Sequence, residues 1–423
     1  MQLNALAFAS DSGKLLAWVS GVAVVYLPLW AVLLVGAALG LVGYGVQFLL
    51  VGEALASASY WQVFLLSATA GNAACWINTA CYEVCLRNFR SKARVAIGLS
   101  TSYFGLSAVA YTVLADAFIQ PLPHQKAKAY LLLNAVVPVA TTLLVLPIAR
   151  VVLSEDKQRS DGGFILVFVI AMASGACGVF GSLWSMSTWV MLSFGCLLAA
   201  LLAVKVEEGL ASPGGWEEAG EDRQVAASAM VRTPEFWLYF FGYLFGGRWV
   251  PRALQNLCCG LSGFAFGFFG RCMVSLVDFV CIRYVYEVPR PALIAALTAP
   301  MAGSFFLLLN SGSACLYAGN VVIGTCTGAI TSAAASATTE LFGTKFFGIN
   351  HNIVVSNIPI GSFLFGFLAA FVYQRGENGR GVCMGAQCYE RTFLVWGCLC
   401  AVSTLLFVVL HIRTRKTRSV VSA

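Results

Sequence analysis

Three asparagines and a histidine fall within twelve residues at "NHNIVVSNIPIG" (350–361), inside a chain that is 59% hydrophobic. Amides both donate and accept hydrogen bonds, and an imidazole titrates near neutral pH. The segment therefore has the groups to hold a polar solute, and His351 would suit proton coupling. The same residues also serve as bridges between packed helices, and a histidine near a helix start can cap it or tie it to a neighbour. For any single asparagine, packing is the more common use.

Helical spacing sorts these groups onto faces. Asn350, Asn357 and Gly361 share a narrow arc, with His351 about 100° to the side. Pro359 lacks a backbone donor and should kink that helix or loosen a turn. Gly71, Cys75, Asn78 and Tyr82 form a second stripe, beside Asn72, and Gly98, Ser102 and Gly105 a third. Asn134 precedes Pro138 by one turn, a further break that would line a cavity or be satisfied by neighbours. The candidate solute contacts are thus Asn72, Asn78, Tyr82, Ser102, Asn134, Asn350, His351 and Asn357.

The elements that must position them are membrane helices. Only 11% of the 423 residues are charged, and the mean hydropathy is +0.81. A soluble domain has roughly a quarter of its residues charged. Apolar runs of about twenty residues, enough to cross a bilayer, recur from end to end. They predict an all-α polytopic membrane protein with helices near 5–24, 29–51, 60–86, 95–119, 129–150, 163–184, 187–206, 235–250, 255–276, 291–310, 314–336, 348–373 and 392–412. The lipid bilayer is then the first partner, and the +7 charge points to cytoplasmic loops, with no nucleic-acid partner expected.

Placing the tail "RTRKTR" in the cytoplasm and alternating backwards puts eighteen Lys and Arg on that side and seven on the other. That bias fits the positive-inside rule. Arg87 and Arg94 belong to a cytoplasmic turn in this scheme, as does the neighbourhood of Glu340. Asp11 with Lys14, and Arg271 with Asp278, read as ion pairs tying helix ends together or as parts of a coupling pathway. The GxxxG runs at 36–40 and 263–270 predict close packing within the chain.

A hydrophilic stretch, 205–234, reads as a flexible cytoplasmic linker. It divides the chain into 1–206, a linker at 207–234, and 235–423. Residues 71–105 and 328–361 repeat one pattern: a small-residue helix ending in a Glu (Glu83, Glu340), an aromatic and basic turn, and a Gly-rich helix. Repeated halves with a binding site between them are a common transporter plan.

No HExxH, GxSxG, P-loop or dinucleotide fingerprint appears. The expectation is a non-enzyme with no cofactor and no metal site. Cys383 and Cys388 fall in a loop on the non-cytoplasmic side, where a disulfide and two free thiols are both open readings.

The segments "LAFASDSGKLLAWVSGVAVVYLPLW", "AGNAACWINTACYEVCLRNF", "VAIGLSTSYFGLSAVAYTVLADA", "PEFWLYFFGYLFGG" and "TTELFGTKFFGINHNIVVSNIPIGSFLFGFLAA" closely resemble the nodulin-like branch of the major facilitator superfamily in plants. The resemblance covers nearly the whole chain. It implies two pseudo-symmetric six-helix halves with extra helices between them, about 12–13 in all, working by alternating access. "FRSKARVAIG" and "LFGTKFFGIN" resemble the facilitator turns of the two halves. The resemblance also implies a helix ahead of "LAFASDSGK" that this sequence does not show, and a longer Gly- and Asn-rich stretch in place of "RWVPRALQNLCCG" (248–260).

The function expected is secondary transport of a small molecule or ion: an organic anion, another metabolite or an inorganic ion. The alternative is a degenerate facilitator with a structural or signalling role. The expected location is the plasma membrane or an endomembrane, with the carboxy terminus cytoplasmic.

Overall fold

A computed structural model describes residues 8–52, 55, 58–89, 92–119, 123–147, 159–184, 225–246, 252–284, 288–310, 312–375 and 387–421. The amino half contains α1 (Ala17–Tyr26), entered through a 3₁₀ turn at Gly13–Leu16, then α2 (Leu29–Val51) and α3 (Tyr60–Asn88). It continues with α4 (Ala93–Ile119), α5 (Pro123–Val145) and α6 (Arg159–Trp184). A short helix α7 (Ala227–Met230) precedes the carboxy half: α8 (Pro234–Gly246), α9 (Arg252–Arg283), α10 (Arg290–Leu307), α11 (Ser313–Phe342), α12 (Phe347–Val355), α13 (Asn357–Arg375) and α14 (Gln387–Val421). The expected helix at 187–206 lies outside the described residues, as do most of the 205–234 linker and residues 248–251.

Local chemistry explains several boundaries. Ser59 caps α3 in a reciprocal box: its hydroxyl accepts from the Gln62 amide, and the Gln62 side chain accepts from the Ser59 N–H at 2.8 Å. Gly343, at φ 84°, ends α11 and donates its N–H to the Thr339 carbonyl, using a conformation that glycine adopts without a Cβ clash. The predicted helix 348–373 is broken at Ser356 into α12 and α13. Pro359 has no N–H to give the carbonyl of Val355, so the break sits one turn ahead of it.

Six helices among the described residues are long and apolar enough to cross a membrane: Leu29–Val51, Lys126–Val145, Arg290–Leu307, Ala314–Phe342, Phe347–Leu368 and Glu390–Lys416. Helices α3 and α9 are as long but more polar. Each turns one polar face inward: Thr79 and Glu83 of α3 and Arg271, Ser275 and Asp278 of α9 are buried, and Asn72 of α3 is half-buried. Polar residues at membrane depth turn inward for lack of partners in lipid.

Each half has an apolar cluster of its own, and two smaller clusters cross between the halves, one joining Leu99, Leu106 and Phe164 to Phe268 and the other joining Leu86 and Ile97 to Ala335 and Phe347. The largest cluster, including Tyr239, Ile294, Phe305, Ile330 and Phe407, belongs wholly to the carboxy half, and Val24, Val32, Trp76 and Ala80 form one within the amino half. The halves touch most extensively where α1 meets α12 and where α4 meets α9, with further contacts of α3 to α12, α6 to α9 and α4 to α11. Small residues set the first two. Gly21 lies so close to the Gly348 backbone that a Cβ there would overlap it, and Gly105 backs onto Phe268. The GxxxG runs pack within the chain as expected: Gly36 against Ile77 and Trp76, and Gly267 against Gly328.

Candidate functional site

The α1–α12 seam is polar at its core. Ser20 on α1 and Thr79 on α3 lie 2.8 Å apart through their hydroxyls. The Asn352 amide on α12 donates to both, at 3.2 Å and 2.9 Å. All three side chains are buried. None of them was a sequence candidate, although Asn352 sits in the opening segment. Its partners lie 332 and 273 residues away, and no helical periodicity reports a contact of that range.

One turn from this triad is an aromatic cluster. The His351 ring stacks on Phe347, with centroids 5.0 Å apart and planes at 11°, and meets Tyr82 of α3 edge-on at 5.4 Å. Its Nδ1 lies 3.1 Å from the Thr338 hydroxyl of α11. Tyr239 of α8 donates to the Ala334 carbonyl at 2.6 Å, with its hydroxyl 3.4 Å from Thr338. Tyr82 also meets the Phe347 ring edge-on at 6.0 Å, so it is an amino-half side chain packed directly on α12.

The remaining candidates have varied settings. Asn357 is 1% exposed, and its Nδ2 has no hydrogen-bond partner among the described residues. Asn350 donates to the Val225 carbonyl at 2.8 Å, and the Val225 N–H donates to Phe342. That pair of bonds docks the end of the linker onto the α11–α12 turn. Asn72 donates to the Gly13 carbonyl and accepts from the Trp76 indole, so it braces the 3₁₀ turn. Asn134 donates to Tyr130 within its own helix. Ser102 donates to Leu99 and also meets Cys272 on the α4–α9 seam. Asn78 is half-buried on α3.

Charged groups gather where the helices end. Arg87 pairs with Glu83 at 3.0 Å and donates to the Val24 carbonyl, while Glu83 also accepts from the Gly348 N–H. Arg94 lies 4.0 Å from Glu340, which accepts the Arg290 N–H at 3.1 Å. The carboxylate at the end of α3 thus reaches the start of α12, and the one at the end of α11 reaches the start of α4. The repeat seen in the sequence appears here as a reciprocal crossing between halves. Lys92, in the α3–α4 turn, lies 5.7 Å from the Phe164 ring centroid, and its partial burial lowers the ammonium pKa.

Two expected ion pairs resolve differently. Lys14 pairs with Asp11 at 2.6 Å, and Asp11 also accepts from the Ser362 hydroxyl of α13. Asp278 bonds to Arg290, and also feels Arg94; its expected partner was Arg271. The reason is helix length. α9 runs on to Arg283, so Arg271 lies twelve residues inside it, about 18 Å from its end. Arg271 was counted among the cytoplasmic residues but is buried in the helix interior. Cys383 lies outside the described residues and Cys388 outside the described side chains. Among the described residues no group of three or more His, Cys, Asp or Glu could hold a metal ion.

Comparison with known proteins agrees with this architecture. Residues 1–206 match the family model Nodulin-like, and residues 218–420 match NFD4, C-terminal domain. The chain is 31% identical to Protein NUCLEAR FUSION DEFECTIVE 4 of Arabidopsis thaliana, over 98% of this chain and 83% of that protein. Among solved structures, the human organic anion transporter MFSD10 (TETRAN) superposes with a TM-score of 0.54 at 16% identity, covering 96% of this chain and 83% of its own. The proton:xylose symporter XylE gives 0.54 at 11% identity, covering 95% and 83%. These likenesses show a major facilitator superfamily fold. On the match to the Arabidopsis protein and to both family models, the chain belongs to the plant nodulin-like family of that superfamily.

Proposed function

We propose that this protein is a secondary transporter that moves a small solute across a membrane by alternating access. The observation that supports it is the make-up of the α1–α12 seam. Each half has an apolar cluster of its own and two smaller apolar clusters cross between the halves, whereas the α1–α12 seam is held by Ser20, Thr79 and Asn352, by Glu83 with Gly348, and by close glycine contacts. A net hydrogen bond contributes only about 1 kcal/mol, so that seam can open and re-form while the clusters within each half stay intact. That is the requirement for rocking two bodies about a central site.

In this reading the solute path runs between the halves past Tyr82, His351 and Asn357. The carboxylate crossings at Glu83 and Glu340 form the gate on the cytoplasmic side, which is also the side of the carboxy-terminal basic residues. His351, with the Thr338 hydroxyl at 3.1 Å, is the group that would couple a proton. No nucleophile–base pair or cofactor enters the mechanism. The names of MFSD10 and XylE, an organic anion transporter and a proton symporter, are in keeping with small-solute cargo.

The test is metabolite uptake in a transport-null host, comparing wild type with His351→Ala and Asn357→Ala at several external pH values. Uptake by the wild type, reduced in both variants and with a flattened pH profile in His351→Ala, is the expected result. Equal uptake by all three would remove both residues from the path, and a wild type that moves nothing would reject the reading.

A further inference from the structure

Val225, at the end of the linker, joins two helices of the carboxy half. Its N–H donates to the Phe342 carbonyl at 3.1 Å, and its carbonyl accepts the Asn350 amide at 2.8 Å. Phe342 is the last residue of α11, where a helix leaves its carbonyls without intrahelical donors. Asn350 belongs to α12 and is fully buried. One linker residue is thus bonded to both sides of the turn at 343–346.

That turn has little to fix it from within. It bends at Gly343, and α12 begins without a side-chain cap. The segment beyond Val225 is firmly anchored. Met230 is 0% exposed in the carboxy-half core, which also takes in Phe342 and Val354. The Trp237 indole donates to the Val231 carbonyl at 3.0 Å, and the Phe236 N–H to the Thr233 hydroxyl at 3.3 Å, so the segment is tied to α8. On α12, Gly348 and Asn352 flank Asn350 and make the seam, against Gly21 and onto Ser20 and Thr79. At 100° per residue Asn350 points about 160° away from both. The linker therefore holds α12 from the side opposite α1.

We propose that the end of the linker is a brace for the seam, with Asn350 as its positioning residue: through Val225 it holds α12 from behind and keeps it seated on α1. Without the amide, the turn at Gly343 is free to swing α12 away, and the seam opens more often. The carboxy-half core, anchored elsewhere, stays intact. The brace sets how readily the two halves part, whatever passes between them.

The experiment is hydrogen–deuterium exchange of the purified full chain in lipid nanodiscs. The wild type is compared with Asn350→Leu, which removes the amide and keeps the volume, and with Val225→Pro, which removes the donor to Phe342. Ser403→Ala is the control, since it removes a buried bond of the same half between α14 and α8, to the Gly242 carbonyl at 2.7 Å. Exchange in α1 and α12 should rise about fivefold in both brace variants, the factor that one net hydrogen bond is worth. In α10 and the centre of α14, protection should stay at the wild-type level. If Asn350→Leu does not fold, Val225→Pro decides alone.

Wild-type exchange of α1 in the brace variants would overturn the proposal and leave the two bonds as a cap on α11. An equal rise in α1 of Ser403→Ala would overturn it too, because any loosening of the carboxy half would then reach the seam. Exchange is read with no solute present, so the brace and the transporter reading fail separately. A wild type that takes up nothing, with α1 loosened in the variants, keeps the brace and rejects transport. Uptake by the wild type with α1 unmoved in the variants keeps transport and rejects the brace.

Discussion

The Asn352 amide of α12 donates to the Thr79 hydroxyl of α3 at 2.9 Å, joining residues 273 apart in sequence. The same nitrogen serves Ser20, so one side chain ties α1 and α3 to the carboxy half. Asn352→Ala should remove both bonds and leave the Ser20–Thr79 pair intact, destabilising the protein by about 1–3 kcal/mol. Thr79→Val should cost less, and the double variant should show a coupling of about 1 kcal/mol between the two positions. Denaturant or thermal unfolding of the purified chain measures each corner of the cycle. Strictly additive losses would mean that the seam is not held by this bond.

The glycine pair at the same seam predicts an asymmetry. A Cβ on Gly21 would overlap the backbone of Gly348 and Ile349, which cannot move without separating the helices. A Cβ on Gly348 would meet the Val24 side chain at 3.1 Å, the Glu83 carboxylate at 3.3 Å and the Gly21 Cα at 3.4 Å, contacts tight by only a few tenths of an ångström. Gly21→Ala should therefore cost about 1–3 kcal/mol and Gly348→Ala under about 1 kcal/mol. Uptake should fall in the same order, because the closed seam is one end of the transport cycle. Comparable losses at the two positions would contradict the geometry.

Much of this arrangement is legible in the sequence, for reasons that differ by feature. Long apolar runs predict the helices because lipid demands internally bonded backbone. Pro359 predicts the break at Ser356, because its missing donor acts locally. The Glu83–Glu340 repeat predicts related turns, and the structure adds that each carboxylate crosses to the other half. Pairings between helices are another matter. Nothing local tells that Asp278 will take Arg290, twelve residues on, or that Asn350 will hold Val225, 125 residues earlier. Helical spacing assigns a face, and the neighbour on that face is decided by packing. His351 was placed beside the asparagine arc, and what it meets there, Tyr82, Phe347 and Thr338, comes from three different helices.

Arg290 is 1% exposed, and its Nε and Nη1 have no hydrogen-bond partner among the described residues. Asp278 is thus the group that keeps a buried cation tolerable. Asp278→Ala should cost about 3–5 kcal/mol, because removing one partner of a buried pair strands the other. Asp278→Leu combined with Arg290→Met should recover most of that loss, as apolar replacements of buried pairs often do. Unfolding midpoints of the three proteins decide the matter, and a double variant no better than Asp278→Ala would show that other contacts of Arg290 dominate.

Glu340 and Arg94 are not equivalent partners, though they lie 4.0 Å apart. The Arg94 side chain is about a third exposed, so its share of the pair is screened, and Arg94→Gln should cost no more than about 1 kcal/mol. Glu340 is buried and also accepts the Arg290 N–H, so Glu340→Ala should cost about 2–3 kcal/mol through the unpaired donor left behind. Exchanging the charges should not rescue the loss. In Arg94→Glu with Glu340→Arg, the new carboxylate would face Asp278, which already feels position 94, and the new guanidinium would crowd Arg290. The exchanged protein should be less stable than either single variant. A rescued unfolding midpoint would instead show the pair acting alone, independent of the Asp278–Arg290 bond beside it.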